Sequence, residues 1–257
     1  MKGKHVVVTG ASSGIGAALA RRAFSLGARV TLVARRKDLL DSLAAESTHP
    51  VHVVQADLSR EDEVTSWVAG AEAALGPIDV LINNAGVQIV GPFTQASWHE
   101  VKQLLAVDLL APLQLSQHVA RGMLARRSGT LVDVSSMAAL APTPGMAFYN
   151  AAKGGLGGAS EGLRAELAPQ GVHVLTVYPG PVRTAMEAAA REKFQPSLAL
   201  RLFAPSGEAD VLARLVFEAV ARKRARVIYP RLNAGAWYFR SVVRWLVDRF
   251  TPAFVRP

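Results

Sequence analysis

Short runs of β-branched and aliphatic residues alternate along this chain with longer stretches in which apolar positions recur every three or four residues. The short runs are His5–Thr9, Arg29–Ala34, Val51–Gln55, Ile78–Ile82, Gly129–Ser135, Val172–Val177 and Arg226–Tyr229, and they predict seven strands. The longer stretches, at 14–26, 38–47, 61–75, 98–126, 147–169 and 207–222, predict amphipathic helices. Strands that are apolar on both faces and joined by helical crossovers imply a parallel sheet covered on both sides. The expected fold class is therefore α/β, a doubly wound parallel seven-stranded sheet whose ligands bind beyond the carboxyl ends of the strands. No Pro/Gly/Ser-rich linker and no internal repeat interrupts the pattern, so residues 1–230 are expected to form one catalytic domain. Residues 185–205 break the rhythm with Met186, Phe194, Leu198, Leu200, Leu202 and Phe203; they read as a substrate lid or as an ordinary surface helix pair.

Composition narrows the class. Half of the 257 residues are hydrophobic and 19% are charged, enough for a large core and incompatible with disorder. No apolar run reaches the roughly 18 residues a membrane span needs, and the short apolar stretch Val6–Val8 does not make a signal peptide, so cytoplasmic residence is expected. There is no cysteine, which excludes disulfides, thiol nucleophiles and thiolate metal sites, and no metal is expected. The net charge is +9, yet nine of the 29 basic residues and only one of the 20 acidic residues fall between Arg222 and Pro257. The body is nearly neutral and the basic character sits in the C-terminal segment, which points to an acidic partner or surface.

The first strand runs into Thr9-Gly10-Ala11-Ser12-Ser13-Gly14-Ile15-Gly16. Glycines at this point let the backbone turn sharply and approach a pyrophosphate, and the helix that begins at Gly14 offers unpaired N–H groups and the positive end of its dipole. That is a Rossmann-type turn. The same letters also fit G-x-S-x-G, a hydrolase nucleophile elbow, but an elbow follows several strands and needs a late loop histidine. None of His5, His49, His52, His99, His118 and His173 is so placed. At the end of the second strand, where an NAD site carries a carboxylate for the ribose hydroxyl, stands Ala34-Arg35-Arg36. Arginine can bind a 2′-phosphate with charge-assisted hydrogen bonds, so NADP(H) is the expected cofactor, with Arg35 the first choice of contact.

Tyr149 and Lys153 are spaced to share one helix face, and Ser136 ends the fifth strand. Together with the glycine turn, Asn83-Asn84-Ala85-Gly86 after strand four and Pro179-Gly180-Pro181-Val182-Arg183-Thr184 after strand six, they make the chain resemble the short-chain dehydrogenase/reductase family over residues 4 to 230. The resemblance implies hydride transfer between a nicotinamide and a ketone or aldehyde/alcohol pair. Tyr149 would be the acid/base. Lys153 would favour its phenolate and hold the nicotinamide ribose. Ser136 would donate to the substrate oxygen. It also implies cofactor contacts from Gly10, Ser12, Ser13, Gly14, Ile15 and Gly16, from Arg35 and Arg36, from Asp57 and Leu58, from Asn84, Ala85 and Gly86, from Tyr149 and Lys153, and from Pro179, Gly180, Val182 and Thr184.

One position departs from the family pattern. Where the family has asparagine in a V-N-L context, anchoring a water of the proton relay, this chain has Val107-Asp108-Leu109. Aspartate accepts but does not donate, and its charge is expected to act on Lys153, with Asp108 joining the catalytic set. Gly154-Gly155-Leu156-Gly157-Gly158 is costly in a helix, at about 1 kcal/mol per glycine relative to alanine. Its readings are close backbone approach, to a neighbouring helix or across a subunit interface, or a weak helix held by packing. Family members pair through this helix and the one at 98–126, so a homodimer or homotetramer is expected.

The segment 231–257 reads as a basic amphipathic extension with a helix over 235–250. Phe239, Val242, Val243, Leu246 and Phe250 fall on one face, Arg240, Arg244 and Asp248 on another, and Trp237, Tyr238 and Trp245 add aromatic bulk. It is too short to span a bilayer. Three uses stay open: docking on its own or a neighbouring subunit over the substrate cleft, lying on an anionic membrane surface, and binding an acidic carrier protein. No nucleic-acid motif is present. The expected substrate is a lipophilic small molecule chosen by loops 87–97, 137–148 and 185–205; the alternatives are a 3-oxoacyl (carrier-protein) reductase and a weakly active dinucleotide-binding or membrane-associated scaffold.

Overall fold

The structure is a computed structural model and describes residues 1–193, 206–230, 234–239, 241, 244, 245 and 249. Seven parallel strands form one sheet in the order β3-β2-β1-β4-β5-β6-β7: β1 His5–Thr9, β2 Arg29–Ala34, β3 Val51–Gln55, β4 Val80–Asn83, β5 Gly129–Val134, β6 Val172–Pro179 and β7 Arg226–Tyr229. The order reverses between β1 and β4, and a crevice opens there at the carboxyl ends. Alternation along the strands divides the core. Val6, Val8, Val30 and Leu32 face the layer of α1 (Gly14–Ser25), α2 (Lys37–Ala44) and the helix Ala209–Ala221. Val7, Val33, Leu81, Leu131 and Val174 face the layer that contains α6 (Ala111–Ala125) and α7 (Ala147–Leu167). Both layers bury their apolar stripes completely, which is why the strands read as continuous apolar runs.

Three expected elements differ in form. The fourth strand begins at Val80 because the Ile78 N–H is taken by Glu72 Oε1 (3.2 Å) and its carbonyl by Arg126, leaving neither for the ladder. The helix expected over 61–75 is two helices, α3 Glu61–Thr65 and α4 Val68–Leu75. The helix expected over 98–126 is α5 Trp98–Leu105, a π-helical turn Ala106–Leu110 and then α6. Pro112 explains that turn: it lacks an N–H, and its ring crowds the carbonyl four residues back, at Asp108, so the ladder is displaced there.

The glycine-rich stretch of α7 stays helical. Side chains at Gly155 and Gly157 would crowd the interior, with a Cβ 3.1 Å from Leu109 and 3.3 Å from Ser135 Oγ and Tyr178. Gly154 and Gly158 face open space. Among the described residues no helix is long and apolar enough to cross a membrane. Phe194, Leu198, Leu200, Leu202 and Phe203 of the expected lid, and Val242, Val243, Leu246 and Phe250 of the expected C-terminal amphipathic face, lie outside the described residues.

Candidate active site

The glycine turn closes because nothing else fits. A Cβ on Gly16 would lie 2.1 Å from the Gly10 carbonyl oxygen, and one on Gly10 would lie 2.7 Å from Ala85 Cα. Gly10 and Gly14 also hold positive φ, at 65° and 55°. Thr9 ties this turn to the loop after β4: its Oγ1 accepts from the N–H groups of Asn84 and Ala85, each at 3.0 Å, while Asn84 Nδ2 donates to the Thr9 carbonyl at 2.9 Å. The result is a rigid crevice floor with the N-terminus of α1 pointing into it.

A cleft of about 720 Å³ runs across the carboxyl ends of the strands. Every residue expected to touch the cofactor lines it: the turn from Gly10 to Gly16, Arg35, Arg36, Asp57, Leu58, Asn84, Ala85, Gly86, Pro179, Gly180, Val182 and Thr184. Arg36 donates through Nη2 to the hydroxyls of Ser12 and Ser13, both at 2.8 Å, so its guanidinium sits over the glycine turn. Arg35 lies against Asp57, where burial raises the carboxyl but hydrogen bonds from Ser59 and the Arg35 charge outweigh it and hold it below the ordinary range. None of the six histidines lines the cleft, which removes the nucleophile-elbow reading.

Ser136, Tyr149, Lys153 and Asp108 meet at the inner end of the same cleft. Ser136 caps the short helical turn Met137–Ala139, its Oγ accepting from the Ala138 N–H at 3.1 Å, and lies close enough to the Tyr149 phenol to lower it. Lys153 is wholly interior and donates to the Val134 carbonyl at 3.1 Å. Its ammonium lies 6.0 Å from the Tyr149 ring centroid and 3.2 Å from Asp108 Oδ2. Asp108 is fully buried and accepts from the Val87 N–H through Oδ1 at 2.7 Å. Burial pushes the Tyr149 phenol up; Lys153 pulls it back and Asp108 adds to the rise. Burial would lower the Lys153 ammonium, but the charges of Asp108, Tyr149 and Asp133 hold it above its ordinary value. Burial raises Asp108 against the pull of Lys153.

Sequence reasoning missed the groups that hold these side chains. Val134 and Val87 act through backbone atoms, which carry no side-chain signal. Ser135 Oγ donates to the Lys153 carbonyl at 2.7 Å, fixing the turn of α7 that carries the lysine. Below the site, Asn83 Nδ2 donates to buried Asp133 at 2.8 Å and Ser116 at 2.9 Å, so the Asn83-Asn84 pair splits into one residue that anchors the sheet and one that lines the cleft. The outer cleft is apolar: Val90, Met137, Met146, Met186 and Ala190 line it, the last two from the helix Ala185–Lys193. Gly235 of the C-terminal segment also reaches it. Its neighbour Trp237 packs 4.2 Å from Arg226 and 5.8 Å from the Tyr178 ring, and Arg244 donates to the Pro142 carbonyl at 2.9 Å.

A dinucleotide-type crevice with Ser136 and the buried Tyr149 and Lys153 at its inner end defines a hydride-transfer class of protein, and the comparisons agree. The family model for short chain dehydrogenases matches residues 4–195. A protein named fatty acyl-CoA reductase from Mycobacterium tuberculosis is 38% identical over 197 residues, covering 74% of this chain and 67% of that one. A short-chain dehydrogenase from Sphingobium yanoikuyae, solved in complex with NADPH, superposes with a TM-score of 0.81 at 31% identity, covering 99% of this chain and 98% of that one. A bulky-bulky ketone specific alcohol dehydrogenase from Comamonas testosteroni gives 0.79 at 27% identity, covering 99% and 97%. The chain belongs to the short-chain dehydrogenase family and is an oxidoreductase.

Proposed function

We propose that this chain is an NADP(H)-dependent oxidoreductase that interconverts a ketone or aldehyde and its alcohol on a lipophilic small molecule. The observation that carries the reading is a single cleft with two arginines at one end and, at the other, half-buried Ser136 beside buried Tyr149 and Lys153. The glycine cradle has room for a pyrophosphate and for no side chain, so a dinucleotide fits. Arg36, Arg35, Ser12 and Ser13 would hold a 2′-phosphate, and Lys153 the nicotinamide ribose. When bound, the reduced nicotinamide supplies the hydride. Ser136 donates to the substrate oxygen as negative charge develops on it, and the Tyr149 O–H delivers the proton that makes the alcohol. The buried ammonium of Lys153 stabilises the phenolate that remains.

The mostly apolar outer cleft supports a lipophilic substrate, as do the names of two relatives, a fatty acyl-CoA reductase and a bulky-bulky ketone specific alcohol dehydrogenase. The test is NADPH oxidation with a panel of apolar ketones and aldehydes, wild type against Tyr149→Phe. Absence of turnover on the whole panel, in protein that binds NADPH, would favour a scaffold.

Two finer readings have support of their own. Exposed Phe93 stacks on Phe148 and exposed Trp98 meets the same ring edge-on, with exposed Leu110 and the open side of Gly154 and Gly158 on the elements through which the family pairs, and this supports a homo-oligomer. Sedimentation of wild type against Trp98→Glu tests it. Tyr238, Phe239 and Trp245 are exposed in the basic C-terminal segment, which supports peripheral contact with an anionic membrane, to be tested by co-sedimentation with phosphatidylserine vesicles.

A further inference from the structure

We propose that Asp108 is a built-in counterion for Lys153, a positioning residue that keeps the Tyr149 phenol protonated at neutral pH and so tunes the site toward carbonyl reduction. The inference rests on the hydride-transfer reading above and goes beyond it.

The geometry is specific. Pro112 displaces the helical ladder at Ala106–Leu110, and the resulting π turn carries Asp108 at its middle. Its carboxylate is held on two sides, by the Val87 N–H at 2.7 Å and the Lys153 ammonium at 3.2 Å. Gly86 covers the pair so closely that a Cβ there would lie 3.1 Å from Asp108 Oδ2 and 3.3 Å from Lys153 Nζ. Asp108 is fully buried and the Lys153 side chain only 5% exposed, so solvent screens the pair little.

The charged surroundings are few. Tyr149 feels Lys153 from its own helix and Asp108 from the π turn, and Ser136 at the end of β5 offers a neutral hydrogen bond. Lys153 also feels Asp133 from β5, itself offset by Arg164 from α7. The loop after β4 presents only the Val87 N–H. An unpaired ammonium beside the phenol would favour its ionised form; a carboxylate beside that ammonium cancels much of the effect.

Direction follows from proton balance. In reduction the Tyr149 O–H bond breaks, an O–H bond forms on the substrate oxygen that has received the hydride, and a phenolate is left. In oxidation the phenolate must take that proton from the alcohol. A phenol that stays protonated near neutrality is ready for the first step, and the second needs alkaline solution.

The carboxylate lies 3.2 Å from an ammonium that is itself 6.0 Å from the Tyr149 ring centroid. A charge so near and so little screened raises the phenol. The experiment measures pH–rate profiles in both directions, on one ketone/alcohol pair, for wild type and Asp108→Asn, with NADPH affinity and melting temperature recorded. The expected result is that both the alkaline fall of reduction and the alkaline rise of oxidation move to lower pH in the variant, with NADPH affinity within threefold. Superimposable profiles in a folded, active variant overturn the proposal.

A second measurement needs no turnover. The ultraviolet phenolate titration of wild type minus that of Tyr149→Phe reports the ionisation of Tyr149 alone. Ionisation on the alkaline side of an ordinary tyrosine is expected, and ionisation near neutrality overturns the proposal. A wild type that binds NADPH but reduces nothing would defeat the hydride-transfer reading, while the same titration repeated in Asp108→Asn, where the phenol should ionise at lower pH, would still decide the role of Asp108.

Discussion

Replacing Arg36 by alanine and, separately, Arg35 by aspartate should convert NADP(H) preference into near indifference. In the structure the Arg36 guanidinium spans the hydroxyls of Ser12 and Ser13 at 2.8 Å, directly over the turn whose N–H groups would meet the pyrophosphate. A 2′-phosphate arriving between Arg36 and Arg35 would exchange those neutral acceptors for charged ones. A charge-assisted hydrogen bond contributes about 1.5–3 kcal/mol, and solvent exposure with salt screening favours the lower half of that range. Arg36→Ala should therefore weaken NADPH binding by about 2 kcal/mol, or roughly 30-fold. Arg35→Asp removes one attraction and adds a repulsion, in a corner where Asp57 already stands, so its loss should be larger, about 100-fold or more. NADH lacks the phosphate and should change by less than threefold in either variant. Fluorescence titration of both cofactors at low and high salt reads the effect. The NADPH constants should also lose part of their salt dependence in the variants. Tighter binding of NADH than NADPH by the wild type, or an equal loss for both cofactors, would show that the arginines do not read the 2′-phosphate.

Tyr149→Phe should cut turnover by roughly 10²–10⁴-fold, the scale of general-acid loss, and leave NADPH affinity unchanged, as stopped assays with titrations would show. Gly16→Ala forces a Cβ to 2.1 Å from the Gly10 carbonyl and 2.6 Å from Asn84 Nδ2; it should abolish measurable NADPH binding and cost about 1–3 kcal/mol of stability by chemical denaturation. Glu161 is a pH-dependent staple. Burial would raise its carboxyl, but Arg226 and Arg164 outweigh that and hold it below the ordinary range. The stabilisation it provides is then present above the unfolded carboxyl value near 4.5 and lost as pH falls through the lower folded value. Glu161→Gln should lower the melting temperature by about 2–4 °C at neutral pH, for roughly 1 kcal/mol in a chain of this size, with the difference closing in acid.

What the sequence made legible divides by whether side chains or backbone atoms carry the information. Both ends of β1, β2, β3 and β7 and the starts of β5 and β6 coincide with the apolar runs; in the central strands this is because a strand buried on both faces must be apolar throughout. The fourth strand was misplaced by two residues because its boundary is set by Glu72 and Arg126, partners distant in sequence that claim the Ile78 backbone. The glycine turn was readable because Gly10, Gly14 and Gly16 are required by sterics. Arg35 and Arg36 both line the cleft, as expected; that the guanidinium on the turn is the one of Arg36 is a matter of side-chain direction at a strand end, which no letter carries.

Asp108 shows how a legible letter and an illegible geometry combine. Its departure from the family pattern and the proline four residues later both stand in the sequence. That Pro112 would produce a π turn, that Val87 would supply an N–H, and that Gly86 would seal carboxylate and ammonium away from water follow only from the fold. A carboxylate on an exposed helix at the same distance from Lys153 would be screened to a fraction of its effect. Burial makes this single substituted side chain electrostatically consequential, so the difference between this site and an asparagine-bearing one lies in charge more than in shape. An enzyme built this way retains its proton donor over a wider alkaline range during reduction and pays with slower proton abstraction from an alcohol near neutrality, a trade that a single carboxylate-to-amide exchange can reverse without moving a backbone atom.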